Sequence, residues 1–453
     1  MMRQIGGGSW RWQRLLTLLV LAAIAALALS ACGSSKPGGS ETSGSAESTE
    51  TETPASSESS ESTEGEEGES ETAAATTGEC GEKPETPIED PEGVVASLPK
   101  STQELYSGYP GPIRKSPWAN FEGTPGPWKI GLSNLAVNSA FETNLINGLE
   151  KAFDQAKEEG LVTGSLEKAI LPDESTETPA QQIAGFQAMV RNGVQGVIMT
   201  PLSGEAIAPA ITAAGKEGVP TVILGNTSPS NYAIADNPLN IAGGTAATIK
   251  AMGGKGDVLI VRGLAGAPAE TYGYKQIKAE VEACPEMHII GEVNGNWNNA
   301  TAKTAVQQFL ASHPEEIDGV LQNGIMGQGV IQAFEQVGRP VPPVSMVGGQ
   351  AGDLAYFAEH LPEGYNTGGS AYNGEQQAYA AMRVLLNTLG GKEPLVTDIP
   401  IEATVVTNKN VKEFVPPGAE LNTIGDPLGN VKTFSPQSYL NQFFKQKGGV
   451  SGL

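Results

Sequence analysis

The sequence predicts an α/β protein built from two consecutive doubly wound parallel sheets. Three observations carry this. Short apolar runs alternate with segments of helical periodicity from about residue 128 to residue 348. The runs are apolar throughout instead of alternating with polar residues, as expected of parallel strands covered by helices on both faces. The alternation also restarts near residue 242, so that a second unit of similar size follows the first.

The first unit opens with Trp128-Lys129-Ile130-Gly131-Leu132-Ser133, read as a buried strand. Ser139 and Glu142 form the S-x-x-E capping box that starts a helix. Phe141, Leu145, Leu149, Ala152, Phe153 and Ala156 then repeat at helical spacing until Gly160 stops the run. Ala169 to Leu171 reads as a strand, Pro179 to Asn192 as a helix and Gly196 to Thr200 as an apolar strand. A small-residue helix spans Gly204 to Gly215, and Val219 to Leu224 is the next strand.

The second unit reads as helix Ala242 to Met252, strand Asp257 to Val261, helix Thr271 to Ala283 and strand His288 to Val293. Helix Ala302 to Ser312, strand Gly319 to Asn323, a helix on Val330, Phe334 and Val337, and strand Pro343 to Gly348 complete it.

Composition narrows the function classes. The 453 residues carry a net charge of −23. Binding to nucleic acid or to anionic lipid through a basic patch requires clustered Lys and Arg, which this balance opposes. Three Cys are too few for a disulfide-built fold or a zinc ribbon, and His288, His313 and His360 show no ligand spacing. No metal and no cofactor is expected.

The first 31 residues read as an export signal. Arg3, Arg11 and Arg14 precede an apolar run from Leu15 to Leu29, of signal-peptide length and short for a membrane span. Leu29-Ser30-Ala31-Cys32 resembles the lipobox of bacterial lipoproteins, which implies acylation of Cys32 and a chain anchored on the extracytoplasmic side of the cell membrane. An ordinary secretory signal with a chance Cys is the alternative. Removing residues 1–31 takes away three positive charges and leaves −26. Residues 33–79 hold twelve Glu against Lys36 and almost nothing to bury, so they are expected to form a disordered, self-repelling stalk. With Cys32 acylated, Cys80 and Cys284 are the two remaining thiols in an oxidising compartment. A disulfide between them is expected, two unrelated free thiols being the alternative.

Ligands of doubly wound sheets sit beyond the carboxyl ends of the strands. The polar residues there are Asn138 and Ser139, Thr200 and Ser203, Asn226, and Asp236-Asn237 in the first unit. In the second they are Glu270 and Tyr272, Trp297, Asn323, Gln350 and Tyr372-Asn373. None is Lys or Arg. No Ser-His-Asp set, paired His or phosphate loop accompanies them. Neutral amides donate and accept hydrogen bonds as sugar hydroxyls do, and aromatic faces cover the C–H face of a sugar ring.

From about Trp128 to Thr407 the chain resembles the ribose- and galactose-type periplasmic binding proteins of ABC sugar importers. The matching stretches are Ile130 to Ser133 with Asn138-Ser139; Asn192 to Ile198 with Thr200-Pro201; Glu217 to Val222; Ala235-Asp236-Asn237; Ser312 to Val320; and Leu321 to Gly324. The resemblance implies two doubly wound parallel-sheet lobes joined by a three-segment hinge, closing over one small ligand. It implies a solute-binding protein, not an enzyme, that hands a neutral sugar or polyol to an ABC transporter permease. A sensor of the same fold is the alternative, and an α/β hydrolase is disfavoured because no His follows a strand near a nucleophile elbow.

Asn323 stands where the family uses an Asn, and Trp297 where a stacking Phe is common. Asn138, Phe141 and Glu142 occupy the helix start that carries aromatic and polar contacts, Gln350 sits near a family Asp and Tyr372 near a family Gln. Gly225-Asn226 replaces a frequent Asp-Arg pair, and Glu270-Thr271-Tyr272 replaces a clamping Arg, which argues against ribose itself. Structural roles compete at each position. Trp297 and Phe141 could be core, Glu142 could serve only the capping box, Asn138, Thr200 and Asn226 could be cap or turn residues, and Asp236 could hold the hinge. The expected organisation is signal 1–31, anchor and stalk 32–80, an extension 81–127, one lobe from 128–237 plus 372–398, the other from 238–371 plus 399–440, and a tail 441–453.

Overall fold

A computed structural model of the chain describes residues 79–83, 87–107, 109, 111–173, 176–225, 228–238, 241–371, 373–401, 404–429 and 435–453. The signal, Cys32 and the stalk, together with Asn226 and Tyr372, lie outside the described residues.

One lobe is organised on a six-stranded parallel sheet. Its strands are β1 (Ile130–Asn134), β2 (Glu167–Ile170), β3 (Gly196–Met199), β4 (Thr221–Leu224), β5 (Ala233–Pro238) and β10 (Asp398–Ile401), in the order β10-β5-β4-β3-β1-β2. β1, β3 and β4 are buried along their whole length, as their uninterrupted apolar runs require. On one face pack α1 (Ala140–Glu158) and α9 (Gly374–Leu389), through Leu145, Leu149, Phe153, Met382 and Leu385. On the other lie α2 (Pro179–Arg191) and α3 (Gly204–Lys216), through Phe186, Met189, Ile207 and Ile211. Ser139 caps α1 with both halves of the capping box formed, as its sequence predicts.

The other lobe is built on β6 (Lys255–Arg262), β7 (Glu286–Asn294) and β8 (Gly319–Gln322), parallel and in the order β7-β6-β8. Single bridges Val320–Val344 and Met346–Gly369 carry the pairing on to β9 (Gly369–Ala371), which pairs antiparallel with β11 (Thr404–Val406). α4 (Ile241–Met252) and α5 (Pro268–Glu282) cover one face with Ile249, Ile277 and Val281. α6 (Asn299–Ser312), α7 (Gly327–Gln336) and α8 (Ala351–His360) cover the other with Val306, Val330, Phe334 and Leu354. The chain passes between the lobes from β5 to α4, from β9 to α9 and from β10 to β11, and after β11 it returns to the first-lobe core by Leu440.

Both ends of the described chain depart from the expected organisation. Residues 441–453 are no tail. Phe443 and Phe444 are fully buried with Leu440 in the core shared by α1 and α9, and the Leu395 N–H donates to the Phe443 carbonyl at 2.8 Å. The short helix Gln437–Leu440 runs into a turn at Phe443, and Phe444 forms an antiparallel bridge with Pro394. Residues 399–401, expected in the second lobe, lie in β10 at the edge of the first lobe's sheet. The extension is also structural. Val95, Leu98, Tyr106, Ile113 and Trp118 join the first-lobe core, and the Tyr106 hydroxyl donates to the Asp398 carbonyl at 2.7 Å.

The start of that extension is held on the other lobe. Cys80 and Cys284 are joined by a disulfide, with the Cα atoms 4.7 Å apart, and Cys284 follows α5 in the second-lobe core. Glu82 pairs with Lys250 of α4. The segment between Cys80 and Val95 therefore spans from one lobe to the other.

Candidate functional site

A cavity of about 110 Å³ opens between the lobes, at the carboxyl ends of the strands. The first lobe contributes Asn134 and Leu135 from the end of β1, Thr200 after β3, and Leu224 and Gly225 from the end of β4. Phe141, Glu142 and Leu145 of α1 and Gln377 of α9 complete that wall. The second lobe contributes Asn323, Gly324 and Ile325 after β8, Ala269 of α5, and Trp297 from the loop after β7.

Local structure explains how each group is aimed. Trp297 and Asn296 both adopt left-handed backbone, with φ of 55° and 53°, a conformation that costs a side-chain-bearing residue energy and folds the loop back on itself. The indole comes to lie against Gly263, where an added Cβ would meet its Cε2 at 2.4 Å. Its Nε1 donates to the Asn323 carbonyl at 2.5 Å. The Asn323 amide donates to the Glu270 carbonyl at 2.9 Å, and its Oδ1 sits over Gly273, where only a glycine leaves room. Gln182 holds the Thr200 turn from both sides: its Nε2 donates to the Thr200 carbonyl and its Oε1 accepts from Leu202, each at 2.8 Å.

Asn134 Oδ1, Thr200 Oγ1 and Asn323 Oδ1 are buried with no hydrogen-bond partner among the described residues. Buried polar atoms without partners are uncommon and costly, and all three belong to residues that line this cavity. None of the described residues lining it is Lys, Arg or His. Glu142 is the one acidic residue there, and its Oε2 is engaged by Ser139 and by the Asn138 N–H at 3.0 Å. The described wall is mostly apolar, with Leu135, Leu145, Leu224, Ala269 and Ile325 beside Phe141 and Trp297; it carries amides and a hydroxyl, and no cation for a carboxylate or phosphate among the described residues.

Of the residues expected from sequence, Phe141, Glu142, Thr200, Trp297 and Asn323 are brought together here. Asn138 stands at the rim, where its carbonyl accepts from Asn298 Nδ2 of the other lobe at 3.2 Å. Three others are placed away from the cavity. The Glu270 carboxylate is buried and turns to Arg262 Nε at 2.7 Å, because an isolated buried charge needs a partner. Gln350 precedes α8 and donates to the Gly348 carbonyl at 3.1 Å. Asp236 lies in β5, just ahead of the first crossing, where burial pushes its carboxyl well above the usual range and the Arg383 guanidinium offsets only part of that. Sequence reasoning missed Asn134 and Gln377. Asn134 ends the first apolar run and falls under the same strand-end rule that selected Thr200; Gln377 sits on a helix that the pattern reading did not reach.

A family model described as the periplasmic binding protein domain matches residues 130–393, more than half of the chain. The chain belongs to the periplasmic binding protein family. The xylitol-binding protein of Mycolicibacterium smegmatis is 24% identical over 241 residues, which is 51% of this chain and 66% of that protein, just under two thirds of its length. An ABC transporter solute-binding protein of Thermobispora bispora superposes with a TM-score of 0.60 at 23% identity, covering 69% of this chain and 95% of that one. Another, from Bacillus halodurans with bound myo-inositol, gives 0.54 at 20% identity, over 64% and 98%. At these identities the structural likeness establishes the fold, that of type I periplasmic binding proteins. The family is one of solute-binding proteins, not enzymes. The cavity here draws one wall from each lobe.

Proposed function

We propose that this chain is an extracytoplasmic solute-binding lipoprotein that captures a neutral sugar or polyol between its lobes and delivers it to an ABC importer. The observation that carries this reading is the inter-lobe cavity itself. Its described lining residues include an indole, amides and a hydroxyl and no basic residue, and Asn134, Thr200 and Asn323 each keep one buried side-chain oxygen without a partner among the described residues. Relatives named for xylitol and solved with myo-inositol support a polyol or cyclitol over an acid sugar. The membrane anchor in this proposal is the acylated Cys32, read from Leu29-Ser30-Ala31-Cys32.

The test is a thermal-shift screen of the mature chain against xylitol, myo-inositol, other neutral polyols and pentoses, with sugar acids and sugar phosphates as controls. A ligand at about 100 times its dissociation constant stabilises the native state by roughly 2.7 kcal/mol. Shifts by neutral compounds alone support the reading, and shifts by sugar acids or phosphates alone overturn it. Mass spectrometry of the native protein should show a diacylated Cys32 at the mature terminus.

A further inference from the structure

We propose that Asn298 is a closure latch, a positioning residue that sets how long the lobes stay shut on a ligand. This rests on the proposed reading of ligand capture between lobes.

Asn298 is the N-cap of α6. Its Oδ1 accepts from the Ala300 N–H at 2.9 Å and from the Thr301 N–H at 3.1 Å. Those two bonds fix which end of the amide faces the helix, so the NH2 group must point the other way. It donates to the Asn138 carbonyl at 3.2 Å, in the opposite lobe. The acceptor is equally well held: the Asn138 N–H is bonded to Glu142 Oε2 at 3.0 Å, inside the capping box of α1. Donor and acceptor are thus each preorganised by a helix start, and little further side-chain freedom is lost when they meet.

The two ends of this bond belong to different lobes, so it exists only when the lobes approach. Its position couples it to the ligand. Asn298 directly follows Trp297, and Asn138 precedes Phe141 by three residues, while Trp297 and Phe141 both line the cavity. Forming the bond brings the two aromatic walls together; breaking it lets them part. A contact made in the closed state alone shifts the open–closed population and lengthens ligand residence.

Two substitutions separate the latch from the cap. Asn298→Ser and Asn298→Asp both retain a good N-cap and both remove the amide donor. Asp additionally sets a carboxylate against the Asn138 carbonyl. Stopped-flow measurements with xylitol and myo-inositol should show dissociation accelerated roughly two- to tenfold in Asn298→Ser, as for loss of one net hydrogen bond, and more in Asn298→Asp. Association should change little, and the ligand-free melting temperature should stay near that of the wild type. In parallel, single-molecule FRET between dyes at Glu158→Cys and Glu316→Cys, in a Cys32→Ser background, reads lobe separation without ligand. The ligand-free distribution should move toward longer distances in both variants. Wild-type dissociation rates in both variants overturn the latch. If neither compound binds the wild type, the polyol reading is weakened, and the ligand-free FRET distributions still decide: identical distributions in wild type and variants overturn the latch.

Discussion

The indole Nε1 of Trp297 donates to the backbone carbonyl of Asn323 at 2.5 Å, tying the loop after β7 to the end of β8. The bond holds the ring against Gly263 and Gly324 and makes the indole part of the cavity wall. Trp297→Ala removes both the tie and the stacking face. It is expected to weaken binding of the ligand found by thermal shift by about 2 kcal/mol, roughly 30-fold, as judged by calorimetry. Trp297→Phe keeps a ring and loses the N–H, and should fall between the two.

Gly263 is the floor under that ring. A Cβ there would sit 2.4 Å from the indole, and a ring cannot move aside as a flexible chain end can. Gly263→Ala should therefore displace Trp297. The expected cost is about 1–3 kcal/mol in overpacking, with loss of ligand affinity and a change in intrinsic fluorescence. Wild-type affinity and emission in this variant would separate the ring from the floor.

Acidification should stabilise the protein. Asp353, in the first turn of α8, is completely buried, and burial pushes its carboxyl up to about 7. Burial likewise raises Asp426, near the start of α9, to about 6. An unfolded Asp titrates near 3.9, so the native state holds more protons between that value and the raised ones. The resulting stability is fully present below about pH 4 and is lost as pH rises through 6 and 7. Thermal unfolding should show a higher melting temperature at pH 5.5 than at pH 7.5. Asp353→Asn should flatten that difference; an unchanged slope would place the titration elsewhere.

The Cys80–Cys284 bond closes a loop with a sequence separation of 204 residues. Long loops gain most from closure, so reduction or Cys284→Ser is expected to destabilise the chain by about 2–5 kcal/mol in denaturant unfolding. Thiol labelling of the unreduced, unfolded protein should find neither residue reactive.

Much of the scaffold was legible in the sequence because its strands are buried on both faces and read as apolar blocks. Ile130 to Ser133 and Gly196 to Met199 were recognisable for that reason, and Ser139 with Glu142 announced α1. The missed parts have local causes. β5 runs Ala233 to Pro238 with a buried Asp236 inside it, which breaks the apolar pattern. α9 is buried along nearly its whole length and includes Arg383 and Asn387, so it lacks a clear polar face. Of the residues that line the cavity, Trp297, Asn323 and Thr200 were legible as polar or aromatic residues at strand ends. It was not legible where direction matters. Glu270 occupies the expected element, yet its side chain turns to Arg262 and only its backbone serves the site, by holding Asn323.

The disulfide also decides where a pull enters the molecule. Any tension on the chain ahead of Cys80 passes through Cys284 into the lobe carrying α5, and bypasses the extension packed into the lobe carrying α1. Residues 80 to 284 form a covalent ring that runs through both lobes, so a single cut between β5 and α4 would leave the halves joined until the bond is reduced.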